Sequence, residues 1–64
     1  MTTIASIKEV TLNKTGETSY YFTDGKGLQH SLSEEGWIEA CDGFEYTKHE
    51  FKQDNNMTVN TWYA

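Results

Sequence analysis

A single helical run interrupts a chain that otherwise reads as β-strand, and it limits what the rest can fold into. The run is Ser31 to Phe44, Ser-Leu-Ser-Glu-Glu-Gly-Trp-Ile-Glu-Ala-Cys-Asp-Gly-Phe. Ser31 and Ser33 both suit the N-cap, because a serine hydroxyl accepts a hydrogen bond from an orphan N–H of the first turn. Ser31 with Glu34 matches the S-x-x-E capping box. Ser33 would instead put Glu34 and Glu35 in the first two helical positions, beside the positive end of the helix dipole. Gly43 suits the position past the C-terminus, where φ is positive. Trp37, Ile38 and Cys41 form an apolar stripe, with Glu35, Glu39 and Asp42 on the other side. Gly36 costs the helix about 1 kcal/mol relative to alanine, and it leaves room for close approach to a strand. A helix this short, about residues 33–42, is marginal alone. Trp37 and Ile38 are therefore expected to pack it onto a sheet, with Cys41 as a small core residue.

Strands flank this run on both sides. Residues 4–13 form the first, with Ile4, Val10 and Leu12 in phase and Ile7 out of phase. That break signals a bulge or a strand with apolar residues on both faces. Asn13-Lys14-Thr15-Gly16 is a turn. Residues 17–23 have strong β character, with Tyr20 and Phe22 facing one way and Tyr21 the other. Asp24-Gly25 is a hairpin signal, and the following Lys26-Gly27 lengthens the loop to four residues. Residues 28–32 return as a third strand, and residues 44–53 read as a fourth. Asp54-Asn55-Asn56 is a turn. Residues 57–63 form the last strand, with Met57, Val59, Thr61 and Tyr63 on one face and Trp62 on the other. This strand has no charged residue, so it is expected either inside the sheet or paired with a second copy.

The fold class is therefore α+β, a single domain over residues 1–64. About five antiparallel strands run in the order β-β-β-α-β-β, with one short helix. Two closures fit: a curved sheet with the helix packed on one face, or a small partly open barrel of OB or SH3-like type. A helix after the third of five strands resembles the OB plan in element order. The helix-on-sheet arrangement is preferred.

A domain of 64 residues buries little surface, so its stability is modest. The lone cysteine excludes an internal disulfide. With no apolar signal segment after Met1, it points to a reducing cytoplasm. No apolar run is long enough to span a membrane. The net charge is −5, from ten acidic and five basic residues. This argues against non-specific nucleic-acid and anionic-membrane binding. It fits a basic protein partner.

No catalytic, metal or phosphate-binding motif is present. His30, His49 and Cys41 match no zinc spacing, so no cofactor or metal is expected. Glu34, Glu35, Glu39, Asp42 and Glu45 fall close together with no intervening lysine or arginine. The bland reading is a solvated helix face. The functional one is an electronegative surface steering onto a basic site of a larger protein. Glu34, Glu35, Glu39 and Asp42 are the expected contact residues, with Trp62 or Tyr63 as an aromatic anchor.

The expected function is a small, non-enzymatic protein-binding module. Short acidic chains of this style are common among accessory proteins of bacteriophages and mobile elements, many of which inhibit a host enzyme or defence complex. That association makes inhibition in the host cytoplasm the expectation. The alternatives are an OB-like single-stranded nucleic-acid binder stacking bases on Tyr20, Phe22 and Tyr46, and a self-associating assembly subunit, with a homodimer as its simplest form.

Overall fold

Each strand is antiparallel to its neighbours in one five-stranded sheet, whose residues 3–64 the computed structural model describes. The elements in chain order are β1 (Ile4–Leu12), β2 (Thr18–Asp24), β3 (Gln29–Leu32), α1 (Glu34–Cys41), β4 (Lys48–Gln53) and β5 (Met57–Tyr63). In space the strands lie in the order β3-β2-β1-β5-β4. The sheet stays open, so the helix-on-sheet alternative is the one adopted and no barrel closes.

That order places β3 and β4 at opposite edges, and the chain must cross the sheet between them. Four inter-strand spacings amount to roughly 19 Å, whereas the eight residues of α1 rise only about 12 Å. The segment 42–47 supplies the remaining reach. This is why Phe44 and Tyr46, expected at the start of the fourth strand, lie in the connection and β4 begins at Lys48. Leu28, expected in the third strand, likewise lies in the exposed hairpin loop that precedes β3.

β5 is interior, hydrogen-bonded to β1 on one side and β4 on the other. Pairing with a second copy through β5 is therefore excluded. The edges are β3, only four residues long, and β4, which carries Lys48 and Lys52. Short length and lysines both discourage edge-to-edge association.

The register between β1 and β2 slips between Ile4 and Ser6. The slip accounts for the broken phase of the first strand. Ile7 faces the helix, while Val10 and Leu12 share the opposite face. On the helix side, His30, Phe22, Ile7, Trp62 and His49 form one row across all five strands. Ile7, at its centre, is 3% exposed and is the only buried apolar side chain among the described residues. The core is one layer thin, so few contacts hold the helix.

Ser33 is the N-cap, its Oγ accepting from the Gly36 N–H at 3.1 Å. A Cβ on Gly36 would lie 3.3 Å from Ser33 Oγ and 3.4 Å from Leu32 Cδ2, so this glycine eases the packing of the N-cap turn. Gly43 ends the helix at φ 75°. Trp37 points inward between the small residues Gly36 and Ala40, all three at least partly shielded. Ile38 lies about 100° further round the helix and is 63% exposed. The expected stripe is thus corrected: Trp37 alone anchors α1, Ile38 faces solvent and Cys41 is exposed. The narrow inner face has room for one large side chain.

Two aspartates organise the turns. Asp24 Oδ1 accepts from the N–H groups of Lys26 and Leu28 at 2.9 and 3.0 Å, and Oδ2 accepts from His30 Nε2 at 2.8 Å. Asp54 Oδ1 accepts from the N–H groups of Asn56 and Met57 at 2.7 and 2.8 Å. Asn13 bridges the turns at that end, donating to the Asp54 carbonyl and accepting from Thr58 Oγ1. At the C-terminus, the Ala64 N–H donates to the Ala5 carbonyl at 2.9 Å, tying the end of the chain to the sheet.

Two expectations follow. Trp37→Ala should cost roughly 2–4 kcal/mol in a urea titration, whereas Ile38→Ala should stay within about 0.5 kcal/mol. Equal losses would place Ile38 in the core and contradict the packing. The second concerns pH. The His30 imidazole and the Leu28 and Lys26 amides hold the Asp24 carboxyl below its ordinary value of 3.8, and the Met57 and Asn56 amides do the same for Asp54. Carboxyls that ionise more readily when folded stabilise fully above their unfolded value and lose that contribution as pH falls through the folded one. The urea midpoint should therefore fall in acid below about pH 4. An Asp24→Asn, Asp54→Asn double variant should show a smaller acid decline. An undiminished decline would contradict the role of the two aspartates in holding these turns.

Candidate functional site

The outer face of α1 gathers four carboxylates around one apolar side chain. On a helix, residues three and four apart are surface neighbours. Ile38 is therefore flanked by Glu34 and Glu35 on one side and Asp42 on the other, with Glu39 adjacent. All four acidic side chains are exposed. Glu34 and Glu35 occupy the first turn, where the dipole favours them, and the last turn has no basic residue. The helix therefore leaves its acidic side chains unneutralised from within, and Ile38 provides an apolar centre.

Trp62 and Tyr63 are separated by strand alternation. Trp62 lies half-buried on the helix side of the sheet, stacked on His49 at 4.9 Å and tilted 55° to Trp37 at 5.9 Å. Tyr63 lies on the opposite face, with Lys48 Nζ 5.4 Å from its ring centre. The four expected acidic residues thus share one surface, Trp62 lies in the layer beneath it, and Tyr63 is remote. Tyr20 stacks on Trp37 at 4.8 Å and Phe22 on His30 at 4.7 Å. One face of each of those rings is covered from within the protein.

Beside the inner edge of α1 is an open apolar cleft of about 150 Å³, lined by Ile7, Trp37, Cys41, Phe44, Tyr46 and Trp62. Tyr46 is 56% exposed at its rim. Although Cys41 is exposed as a residue, partial desolvation of its thiol against the cleft pushes it up from its ordinary value, and the Glu9 carboxylate adds to the effect. The cleft is thus largely apolar, and Glu9 is the carboxylate that bears on its thiol. Cys41 remains a thiol at neutral pH, a poor nucleophile.

The sheet face away from α1 has a different character. It carries Lys8, Lys48 and Lys52, with Glu50 paired to Lys52 at 3.3 Å and to Lys48 at 3.7 Å. Lys8 lies 5.6 Å from the Tyr21 ring centre. Charge is therefore segregated: carboxylates dominate the helix side and ammonium groups the open face. His30 and His49 stand at opposite sheet edges. No group of three or more His, Cys, Asp or Glu among the described residues is arranged to hold a metal ion. None of the described helices is long and apolar enough to cross a membrane.

Ile38, Phe44 and Tyr46 are the surface and cleft residues that strand and helix patterning misassigned. The small pair Gly36 and Ala40 around Trp37 was the signal for the true inner face. No family model, curated protein or solved structure matches the chain.

The thiol chemistry is testable. At pH 7.5 Cys41 should react with iodoacetamide more slowly in the folded protein than in urea, and Glu9→Gln should speed the folded reaction. A folded rate equal to or above the unfolded one would contradict the shielding of the thiol in the cleft.

Proposed function

We propose that this chain is a small, non-enzymatic module that binds a larger basic protein through the outer face of α1. The observation that carries the reading is Ile38, 63% exposed and ringed by Glu34, Glu35, Glu39 and Asp42. An exposed aliphatic residue inside a like-charged rim has the anatomy of an interface: a desolvated centre supplies affinity, and the rim supplies steering and specificity. The net charge of −5 acts in the same direction at longer range. Docking on a polymerase, nuclease or defence complex would occlude its basic surface, the mode of action we propose for a phage or mobile-element accessory protein working in a host cytoplasm.

A second reading, stacking of single-stranded nucleic acid, now rests on different residues. Tyr20 and Phe22 are engaged by Trp37 and His30. The open face instead offers Tyr21 and Tyr63, each with a lysine above its ring. Glu50 offsets much of that positive charge, so this reading ranks lower.

The experiment is an affinity capture from nuclease-treated lysate of the source cell with salt elution, repeated with variants. A stoichiometric protein should be released by salt and lost on combining Glu35→Lys with Glu39→Lys. Ile38→Ala should weaken its binding about tenfold. A partner that binds the charge-reversed variant equally well would sink the proposal. Recovery of nucleic acid alone, when nuclease is omitted, would favour the open face.

A further inference from the structure

The cleft under the helix edge contains more aromatic surface than helix anchoring requires. Tyr20 already supports one face of Trp37, and His49 lies against Trp62. The two indoles meet at 55° and form a corner. Phe44 and Tyr46, brought there by the crossing segment, add two further walls over a floor of Ile7. About 150 Å³ is the size of cavity that accepts a molecule such as benzene. Charge narrows the choice of occupant. Glu9 lies on the same sheet face as Ile7, two residues along β1. Glu45 falls between the two wall residues in sequence, and Asp42 directly follows the lining residue Cys41 in the chain. An aromatic corner with acidic residues close by favours a compact organic cation over a neutral or anionic group, because the ring faces and the carboxylates attract the same charge. The protein's own cation–ring contacts among the described residues, Lys8 with Tyr21 and Lys48 with Tyr63, both lie on the other face of the sheet. Neither competes for the cleft.

We propose that the cleft walled by Trp37, Trp62, Phe44 and Tyr46 binds the alkylammonium end of a lysine side chain presented by the basic partner, most tightly when that nitrogen is methylated. The proposal rests on the reading of α1 as the face for a basic protein and gives that face its anchor point. The cleft opens beside the acidic helix, so one basic segment can place its lysine in the aromatic corner and its other charges along Glu34, Glu35, Glu39 and Asp42. Methylation lowers the hydration that an ammonium must lose and enlarges the surface that touches the rings, so affinity rises with methyl count. A corner of tilted rings suits a tetrahedral head group better than a flat guanidinium, which stacks on one plane.

The test titrates three small probes into the full chain at pH 7.5: Nα-acetyl-lysine amide, its Nε-trimethyl form and Nα-acetyl-norleucine amide. Binding is read from the indole N–H shifts of Trp37 and Trp62 by NMR. The trimethyl probe should bind about tenfold more tightly than the neutral norleucine probe, with the unmethylated lysine between them. Tyr46→Leu should weaken the trimethyl probe severalfold without unfolding the protein, since Tyr46 is 56% exposed. Glu45→Gln should weaken it by a smaller factor. Equal binding of the norleucine probe would overturn the proposal and leave a plain apolar slot. Absence of indole shifts with all three probes would also overturn it. Both failures are separable from failure of the helix-face reading. A partner released by salt and lost on charge reversal would sustain that reading even if no probe bound. Selective probe binding would stand even if capture found no partner.

Discussion

The contact of the Trp37 indole with Tyr20 and Trp62 is the one on which the rest of the structure depends. An eight-residue helix has too few hydrogen bonds to offset its own nucleation cost. It persists because one large ring lies on the sheet, flanked by the small, partly shielded Gly36 and Ala40. Remove that ring and little else holds α1: Ile38 faces solvent, Cys41 is exposed, and the core beneath is Ile7, the single buried apolar side chain among the described residues. The same contact builds one wall of the aromatic cleft and orients the carboxylate face outward. Stability and the proposed function therefore share one side chain.

Topology explains the cleft. A sheet ordered β3-β2-β1-β5-β4 obliges the chain to travel from one edge to the other between β3 and β4. The helix covers part of that distance, and residues 42–47 cover the remainder as irregular chain. Phe44 and Tyr46 are carried over the sheet by that requirement, and they become walls instead of strand residues. The thin core and the exposed apolar groups have a common origin. One short helix cannot cover one face of a five-stranded sheet, so Tyr46 and Phe51 stay largely exposed. The other face has no cover at all and manages with serine, threonine and lysine side chains, whose stems shield its valines. An antiparallel sheet tolerates this because one of its faces can meet water.

Charge segregation makes the two sides of the molecule unequal. The helix side carries Glu34, Glu35, Glu39, Asp42 and Glu45, whereas Lys8, Lys48 and Lys52 project from the open face. A net charge of −5 understates the contrast, because Lys8, Lys48 and Lys52 lie on the face away from the acidic helix. The two readings of function follow from this geometry, one using each face. The helix face has the exposed aliphatic centre that an interface needs, and Glu50 holds down the charge of the other.

Much of the architecture was legible in the sequence by itself, because it depends on short-range physics. Alternation marked the strands. Asp24-Gly25 and Asp54-Asn55-Asn56 marked the turns through aspartate side chains that bond to nearby amides. Ser31 or Ser33 and Gly43 bounded the helix, and the uncharged Met57–Tyr63 marked a strand either interior or paired with a second copy; the structure chose Ser33 and the interior position. The acidic cluster was visible for the same reason, since helical spacing alone puts those residues on one surface. Only the tertiary structure decided which large residue of α1 faces inward, because Trp37 and Ile38 are adjacent and helical periodicity fits either. Only it decided that Phe44 and Tyr46 cross the sheet, because that follows from which strands form the edges. Strand order depends on long-range pairing, which no local pattern encodes, and with it came the aromatic corner, the separation of Trp62 from Tyr63, and the division of charge between the two faces.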